Sequence, residues 1–278
     1  MRIDAHHHVW RLARGDYGWL RPTPALSPIC RDFALDELRP LLTAANIGAT
    51  ILVQAAPTLA ETRFLLDVAG SSDGLVRGVV GWADLQARSA IAVLDGLAAD
   101  PLLKGVRPML QDLPDPAWIL RPEVQSALGS LPKLGLRFDA LVTPRELKPL
   151  RAAVERHPDL AVVIDHCAKP GIAAEAWQPW ADDLAAIARG TPAYCKLSGL
   201  VTEAGQGWTV DSMRRYAAHV LVCFGSRRVI WGSDWPVLTL ASSYAGWVAA
   251  TDALLAGLTQ DERDAICGGN ARDFYGLD

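Results

Sequence analysis

The sequence predicts an α/β protein built as a (β/α)8 TIM barrel, and three observations support this. The chain has 278 residues, a length that such barrels commonly reach as a single domain. Half of its residues are hydrophobic, which is enough for a large core. Eight short apolar segments alternate with helical patterns along the chain, as is typical of a parallel sheet covered by helices. We therefore expect one barrel domain over residues 1–278.

The apolar segments are rich in Val, Ile and Leu and have the length of strands. The eight predicted strands are residues 2–10, 50–54, 77–82, 104–109, 136–142, 160–166, 193–198 and 229–234. The predicted helices are residues 35–45, 59–69, 90–99, 122–131, 144–156, 180–189, 210–223, 244–256 and 260–267. We expect Asn46 and Gly48 to close the first helix, because these residue types favour the conformation of a helix end.

Two further features of the pattern bear on the fold and the site. A doubly wound open sheet is the rival fold, but no Gly-x-Gly-x-x-Gly or phosphate-loop motif follows a predicted strand. Residues 11–31 form a long, Pro-rich segment between the first strand and the first helix. A loop of this length in a compact domain is usually functional.

Charge and cysteine content narrow the class of protein. The formal net charge is −4, which is not typical of a protein that binds nucleic acid or an anionic membrane. No apolar run approaches a membrane span, and no signal peptide is visible before the first strand. The five cysteines are scattered without a Cys-x-x-Cys pair, as expected of free thiols in a reducing compartment. We expect a cytoplasmic protein, and no pattern predicts an oligomeric state.

The first strand ends in three histidines, His6, His7 and His8. Side chains alternate faces along a strand, so His6 and His8 are expected to point the same way and His7 the opposite way. Two imidazoles on one side of a strand end form half of a metal site or of a proton-transfer site.

Other polar and aromatic side chains also fall at predicted strand ends, where the chemistry of such barrels takes place. The candidates are Gln54, Trp82, Arg107, His166, Lys169, Lys196, Asp234 and Trp235. Structural alternatives remain open for several of them. Asp234 could be a helix N-cap, His166 a hydrogen-bonded core residue, and Arg107 half of an ion pair. The tryptophans could fill the top of the barrel or form an aromatic wall for a sugar ring.

The chain resembles the amidohydrolase superfamily in three motifs. These are Asp-Ala-His-x-His-x-Trp at the start, an isolated histidine after the sixth strand, and Gly-Ser-Asp-Trp-Pro at the eighth. Within the superfamily it is similar to the amidohydrolase 2 branch, which includes sugar-lactone hydrolases of the fuconolactonase type and pyrone-dicarboxylate lactonases. The similarity extends over essentially the full length.

The resemblance implies roles for particular residues. His6, His8, His166 and Asp234 match the family's catalytic positions, and Asp234 would take a proton from the attacking water. His166 would polarise the lactone carbonyl, directly or together with a metal. Arg107, Gln54, Trp82, Lys169 and Trp235 are the expected substrate-binding residues.

The chain departs from the binuclear members of the superfamily. Their bridging carboxylated lysine at the end of the fourth strand has no counterpart here, because Lys104 stands at the start of that strand. The fifth strand also lacks a histidine. One divalent ion, zinc by the type of its ligands, could be held by His6, His8, His166 and Asp234. A metal-independent reaction is the alternative, because a strained ester needs less activation than an amide.

We therefore expect a lactonase that opens a sugar-acid lactone by water attack and releases the aldonic acid. Arg107 stands nearly alone among the strand-end arginines, and a dicarboxylate substrate would favour several cationic groups. Three alternatives stay open at this point. They are a hydrolase of an aromatic-derived lactone of the pyrone-dicarboxylate or muconolactone type, a metal-dependent decarboxylase, and a barrel that binds a sugar without turnover.

Overall fold

The computed structural model describes residues 1–277 and contains an eight-stranded parallel sheet in the order β1 to β8. The strands are β1 Arg2–His7, β2 Ile47–Val53, β3 Val76–Gly81, β4 Leu103–Val106, β5 Arg137–Ala140, β6 Val162–Ile164, β7 Tyr194–Leu197 and β8 Val229–Trp231. The order follows the chain, so each crossover connects neighbouring strands. The prediction of a (β/α)8 barrel is confirmed.

Helices cover the outside of the sheet. They are α1 Leu35–Ala44, α2 Leu59–Gly70, α3 Ala90–Ala98, α4 Pro122–Ser130, α5 Leu147–Arg156, α6 Trp180–Gly190, α7 Leu200–Ala204, α8 Val210–Phe224, α9 Tyr244–Leu254, α10 Gln260–Asp264 and α11 Asn270–Tyr275. Within residues 1–277, no helix is both long enough and apolar enough to cross a membrane.

The barrel closes where the segment after β8 meets the end of β1. The amide of Asp234 donates to the carbonyl of His6 at 2.7 Å, and the amide of His8 donates to the carbonyl of Trp235 at 2.7 Å. Gly232 makes this approach possible, because a Cβ atom there would lie 2.7 Å from the Cβ of His6. The buried carboxylate of Asp4 supports the junction by accepting hydrogen bonds from the amide of Ser233 (2.8 Å) and the hydroxyl of Tyr244 (2.8 Å).

Most element boundaries lie within a few residues of the predicted ones, and the differences have local causes. Asn46 closes α1 with a left-handed φ of 55°, whereas the expected role of Gly48 is wrong because Gly48 already belongs to β2. Strand β6 ends at Ile164, two residues early, because the chain turns sharply at Asp165. The sequence prediction missed α7 and α11, which are only 5 and 6 residues long.

The long segment 11–31 runs between β1 and α1. Its two ends are held together by paired backbone hydrogen bonds between Trp10 and Phe33, at 3.0 and 3.1 Å. The indole N–H of Trp10 also donates to the carbonyl of Arg31 at 2.6 Å. The segment is therefore a closed loop at the carboxyl-terminal edge of the sheet.

Candidate active site

The histidines of β1 occupy opposite faces of the strand. The imidazole of His7 lies within 2.9 Å of the Thr50 hydroxyl, whereas the rings of His6 and His8 contact each other edge to face with centroids 5.0 Å apart. All three are buried. Two imidazoles therefore lie side by side at the carboxyl end of the first strand.

Asp234 meets both of these imidazoles from the segment after β8. Its Oδ1 lies 3.3 Å from Nε2 of His8 and 3.8 Å from Nε2 of His6. The backbone of Asp234 is left-handed, with φ of 61°, a conformation that Asp and Asn tolerate better than most side chains. This backbone turns the carboxylate toward the histidines of β1.

His166 completes the group from the end of β6. Its Nε2 lies 3.8 Å from Oδ1 of Asp234, and its ring centroid lies 4.4 Å from that of His6. It begins a run of four residues with left-handed φ angles, 166–169, at 50°, 54°, 59° and 49°. Gly199 leaves room for the ring, since a Cβ atom there would lie 2.9 Å from the imidazole. The other ring nitrogen, Nδ1, lies 2.8 Å from the hydroxyl of Ser198.

The electrostatics of this cluster favour an ionised Asp234 and neutral imidazoles at His6 and His166. Burial opposes ionisation of Asp234, but His166, His8 and His6 hold the pKa of its carboxyl group well below its usual range. Burial lowers the pKa of His166 to about 4 and that of His6 well below 6.5. At neutral pH, Asp234 is therefore an ionised carboxylate next to the uncharged imidazoles of His6 and His166.

A network of buried charges supports His6 from inside the barrel. The ammonium group of Lys196 lies 3.2 Å from Nδ1 of His6 and 3.1 Å from Oδ1 of Asp165, and it also binds Asp139. The guanidinium group of Arg107 binds the other oxygen of Asp165 at 3.2 Å and lies 3.3 Å from Nε2 of His6. Lys196 is thus a structural member of the network. Arg107 forms an ion pair with Asp165 and also contacts His6.

A cavity of about 150 Å³ opens onto this cluster at the carboxyl-terminal end of the barrel. The predicted residues His8, Arg107, His166, Lys169 and Asp234 line it. The remaining lining residues are Trp19, Ala55, Met109, Gln111, Asp112, Leu141 and Val237. Sequence reasoning missed these. Met109 and Leu141 lie in predicted strands that end earlier in the structure, at Val106 and Ala140. The others lie in the connections between strands and helices, and the length of loop 11–31 was the one signal that pointed to Trp19.

Three of the expected substrate-binding residues occupy other positions. Gln54 is fully buried and donates from its amide to the carbonyl of Arg107 at 2.7 Å, so it supports Arg107. Trp82 lines a separate cleft together with Asp84 and Trp118. Trp235 is 3% exposed and packs edge to face on Phe33, with centroids 5.3 Å apart. Trp235 therefore fills the top of the barrel, the structural alternative considered for the tryptophans.

Three donor atoms of the cluster, from His6, His8 and Asp234, fit one metal ion, because they all lie within 4.8 Å of one another. Two atoms bound to one zinc at about 2.0–2.2 Å lie at most about 4.4 Å apart, and Oδ1 of Asp234 lies 3.3 Å from His8 and 3.8 Å from His6. His166 belongs to a second group of this kind, with His6 and Asp165. Nδ1 of His8 lies 2.8 Å from the carbonyl of Val53, which requires a proton on Nδ1. A neutral His8 then directs the lone pair of Nε2 toward the Asp234 carboxylate, an arrangement that calls for a cation or a proton between them.

The family assignment follows from comparison with known proteins. A profile of the amidohydrolase family matches residues 3–277. The chain belongs to the amidohydrolase family. Its position in that family agrees with the His-x-His strand, the isolated His166 and the aspartate after β8.

Two curated relatives within the amidohydrolases match the whole chain. An L-fucono-1,5-lactonase of Burkholderia ambifaria is 44% identical over 100% of this chain and 96% of its own length. A second protein of that name from Burkholderia multivorans is 34% identical over the same shares of the two chains.

Solved structures agree with this placement. An amidohydrolase from Burkholderia multivorans, crystallised with bound zinc, is 34% identical with a TM-score of 0.92, covering 100% of both chains. A 2-pyrone-4,6-dicarboxylic acid hydrolase from Acinetobacter baumannii is 18% identical with a TM-score of 0.83, covering 99% of both chains. The second similarity shows the shared fold alone.

Proposed function

We propose that this amidohydrolase hydrolyses the 1,5-lactone of a sugar acid, of the L-fucono type, to the open-chain aldonic acid. The observation that carries the proposal is the Asp234 carboxylate, which lies 3.3 Å from His8 and lines a small cavity. The two full-length relatives named L-fucono-1,5-lactonase support the same class of substrate.

Asp234 is the general base in this proposal. Water attacks the lactone carbonyl carbon and passes a proton to the carboxylate, which gives a tetrahedral oxyanion. The bond between that carbon and the ring oxygen then breaks, and the ring oxygen receives the proton from Asp234. The net reaction adds one water to the lactone and leaves Asp234 ionised for the next turnover.

The oxyanion forms beside groups that can stabilise it. His166, Arg107 and Lys169 line the same cavity, and two of them carry fixed positive charge. The guanidinium of Arg107 is fixed by Asp165 and by the carbonyl of Gln54, so it needs no reorganisation as negative charge develops. A divalent ion held by His6, His8 and Asp234 would supply additional polarisation and a lower pKa for water.

The charge balance of the cavity favours a neutral, hydroxylated ligand over a dicarboxylate. Asp165 already pairs with Arg107, which leaves Lys169 as the less engaged cation among the lining residues described here. Asp112 and Gln111 line the same cavity and offer an anionic acceptor and an amide. Carboxylate and amide groups suit sugar hydroxyls, whereas a second carboxylate on the ligand would be repelled by Asp112.

The test is acid release from a panel of lactones, followed with a pH indicator and corrected for the uncatalysed rate. We expect turnover of L-fucono-1,5-lactone or a close sugar analogue, and much weaker turnover of a pyrone dicarboxylate. Parallel samples treated with a chelator separate the two modes of catalysis: activity restored by zinc assigns the cluster to a metal, and activity that survives chelation assigns it to hydrogen bonding. Absence of turnover with every sugar lactone would refute the proposal.

A further inference from the structure

The loop 11–31 brings one tryptophan into the cavity. Trp19 is half-buried, lines the cavity together with Asp234 and His166, and packs edge to face on the fully buried Trp10 with centroids 5.6 Å apart. Its indole N–H donates to the carbonyl of Ala55 at 2.7 Å. Because this donor is already used, Trp19 can offer a ligand the carbon surface of its ring but no hydrogen bond.

The buried carboxylate of Glu61 fixes Ala55, the hydrogen-bond partner of this indole. Glu61, in the first turn of α2, is fully buried, and its Oε1 accepts the amide N–H of Ala55 at 3.1 Å. Its Oε2 accepts the hydroxyl of Tyr17 at 2.8 Å, two residues before Trp19 in the loop. Glu61 thus binds the loop through Tyr17. It also binds Ala55, whose carbonyl accepts the hydrogen bond from the indole of Trp19.

Two more contacts fasten the same part of the loop to the start of α2. The hydroxyl of Thr58, the N-cap residue of α2, donates to Oδ2 of Asp16 at 2.8 Å. The guanidinium of Arg14 donates to that oxygen at 2.6 Å and lies 3.5 Å from Oε2 of Glu61. Residues 14–19 are therefore attached to a fixed helix end and held over the site, and they have little freedom to move as an independent lid.

We propose that Trp19 binds the ring of the lactone through its carbon surface, and that Glu61 positions Trp19. The ring of Trp19 packs against the C–H face of the bound lactone. The carboxylate of Asp234 and the imidazole of His166 line the same cavity. Aromatic side chains present a large, rigid apolar surface that packs favourably on the apolar face of a ring-shaped ligand. This inference rests on the proposed lactonase activity.

The test separates the KM and kcat of three variants on L-fucono-1,5-lactone. We expect Trp19→Ala to raise KM at least fivefold while kcat changes less than threefold, because the ring contacts substrate and transition state alike. Trp19→Phe keeps an aromatic face without the N–H donor, so it should recover part of the loss. Tyr17→Phe removes one hydroxyl at Glu61 and should raise KM to a smaller extent.

Trp208 provides the matched control. Its indole N–H also donates to an alanine carbonyl, that of Ala241 at 2.8 Å, but it lines a different cleft with Arg215 and Tyr216. Trp208→Ala should leave KM unchanged. Affinity for the aldonic acid product, measured by calorimetry, gives a second readout and should fall in Trp19→Ala.

The outcomes distinguish this inference from the proposed function. A wild-type enzyme without lactonase activity refutes the function itself. An active wild type whose KM and product affinity are unchanged in both Trp19→Ala and Trp19→Phe overturns the inference and leaves the function standing. An equal rise of KM in Trp208→Ala also overturns it, because the effect would then be a general response to loss of an indole.

Discussion

At the scale of single residues, the site depends on backbone conformations that most side chains avoid. Both Asp234 and His166 have left-handed φ angles, of 61° and 50°. Such conformations are held in place only where the surrounding structure determines them, and they cluster at active sites. The hydrogen bond from the Asp234 amide to His6 and the space left by Gly199 provide that support.

Asp234→Asn tests the proposed general base with little disturbance of this backbone, because Asn accepts the left-handed conformation as readily as Asp. An amide cannot take the proton of the attacking water, so kcat should fall on the order of a hundredfold or more. Steady-state assays with a thermal denaturation check would measure this. Asp84→Asn, at an exposed aspartate that follows β3, is the control and should keep its activity. Turnover near the wild-type level in folded Asp234→Asn would contradict the mechanism.

Glu61 makes a contribution to the free energy of unfolding that depends on pH, and the direction of this dependence follows from its raised pKa. Burial raises the pKa of its carboxyl group from 4.5 to about 7, against the opposing effects of the Ala55 amide, the Tyr17 hydroxyl and Arg14; Asp16 adds to the rise. The folded state therefore binds more protons than the unfolded state between these values. The contribution of Glu61 to the free energy of unfolding should therefore decrease as pH rises from about 4.5 to 7, by at most about 1.4 kcal/mol per pH unit.

Denaturant titrations of Glu61→Gln at several pH values would measure this contribution. The free energy of unfolding of the wild type minus that of the variant should decrease over that interval. Asp4, whose pKa burial raises to about 6, contributes a remaining slope of the same sign. The lowered pKa values of His6 and His166 add a slope of opposite sign, which is common to both proteins and cancels in this difference. Glu155→Gln, at an exposed partner of Arg151, should leave the slope unchanged. Parallel curves for the wild type and Glu61→Gln would show that Glu61 does not titrate in this range.

At the scale of elements, the closure of the barrel brings the two halves of the site together. Strand β1 supplies His6, the residue after it is His8, and the segment after β8 supplies Asp234. The two meet without a side chain between them at Gly232, where even a methyl group would lie 3.0 Å from the backbone nitrogen of His6. The distance from Asp234 to the histidines therefore depends on the close contact between Gly232 and His6 of β1.

Gly232→Ala should push the segment after β8 away from β1. We expect a loss of about 1–3 kcal/mol in the free energy of unfolding, as is typical of overpacking, together with a lower kcat/KM. Gly96→Ala is the matched control, because Gly96 lies in the exposed interior of α3 with no atom within 4 Å of its added Cβ. That variant should be stabilised by up to about 1 kcal/mol. Equal stability of the two variants would argue against tight packing at the junction.

At the scale of the whole molecule, the hydrophobic pattern predicted the fold and placed His6, His8, His166 and Asp234 at strand ends. The family resemblance then identified these four among the strand-end residues. Strand ends meet at one edge of a parallel barrel, so residues distant in sequence are brought together by topology alone. Loop residues do not follow such a rule. Trp19 reaches the cavity through contacts with Ala55 and Trp10, whereas Trp82, at a predicted strand end, faces another cleft. Periodicity carries no information about such tertiary contacts.

The interior of the barrel shows the same limit of sequence patterns. Apolar strands predict an apolar interior, yet Lys196, Asp139 and Asp165 are all fully buried inside it. The hydroxyl of Tyr275, from α11, donates to Asp139 at 2.7 Å, so the network extends from the terminal helix to His6. The negative charges of the two carboxylates are balanced by the positive charges of Lys196 and Arg107.

Lys196→Met tests this balance. Removal of the ammonium group leaves one buried carboxylate without a counter-charge, and the expected loss in the free energy of unfolding is about 3–5 kcal/mol. The double variant Lys196→Met/Asp139→Asn removes one charge of each sign, so it should recover part of that loss. Lys104→Met, at a lysine near the start of β4 whose Nζ lies 3.5 Å from the carbonyl of Gly276, should change stability by less than about 0.5 kcal/mol. Chemical denaturation of all three variants measures these differences. If the double variant is no more stable than Lys196→Met alone, then Lys196 stabilises the barrel through its packing, and compensation of the charge on Asp139 is not its role.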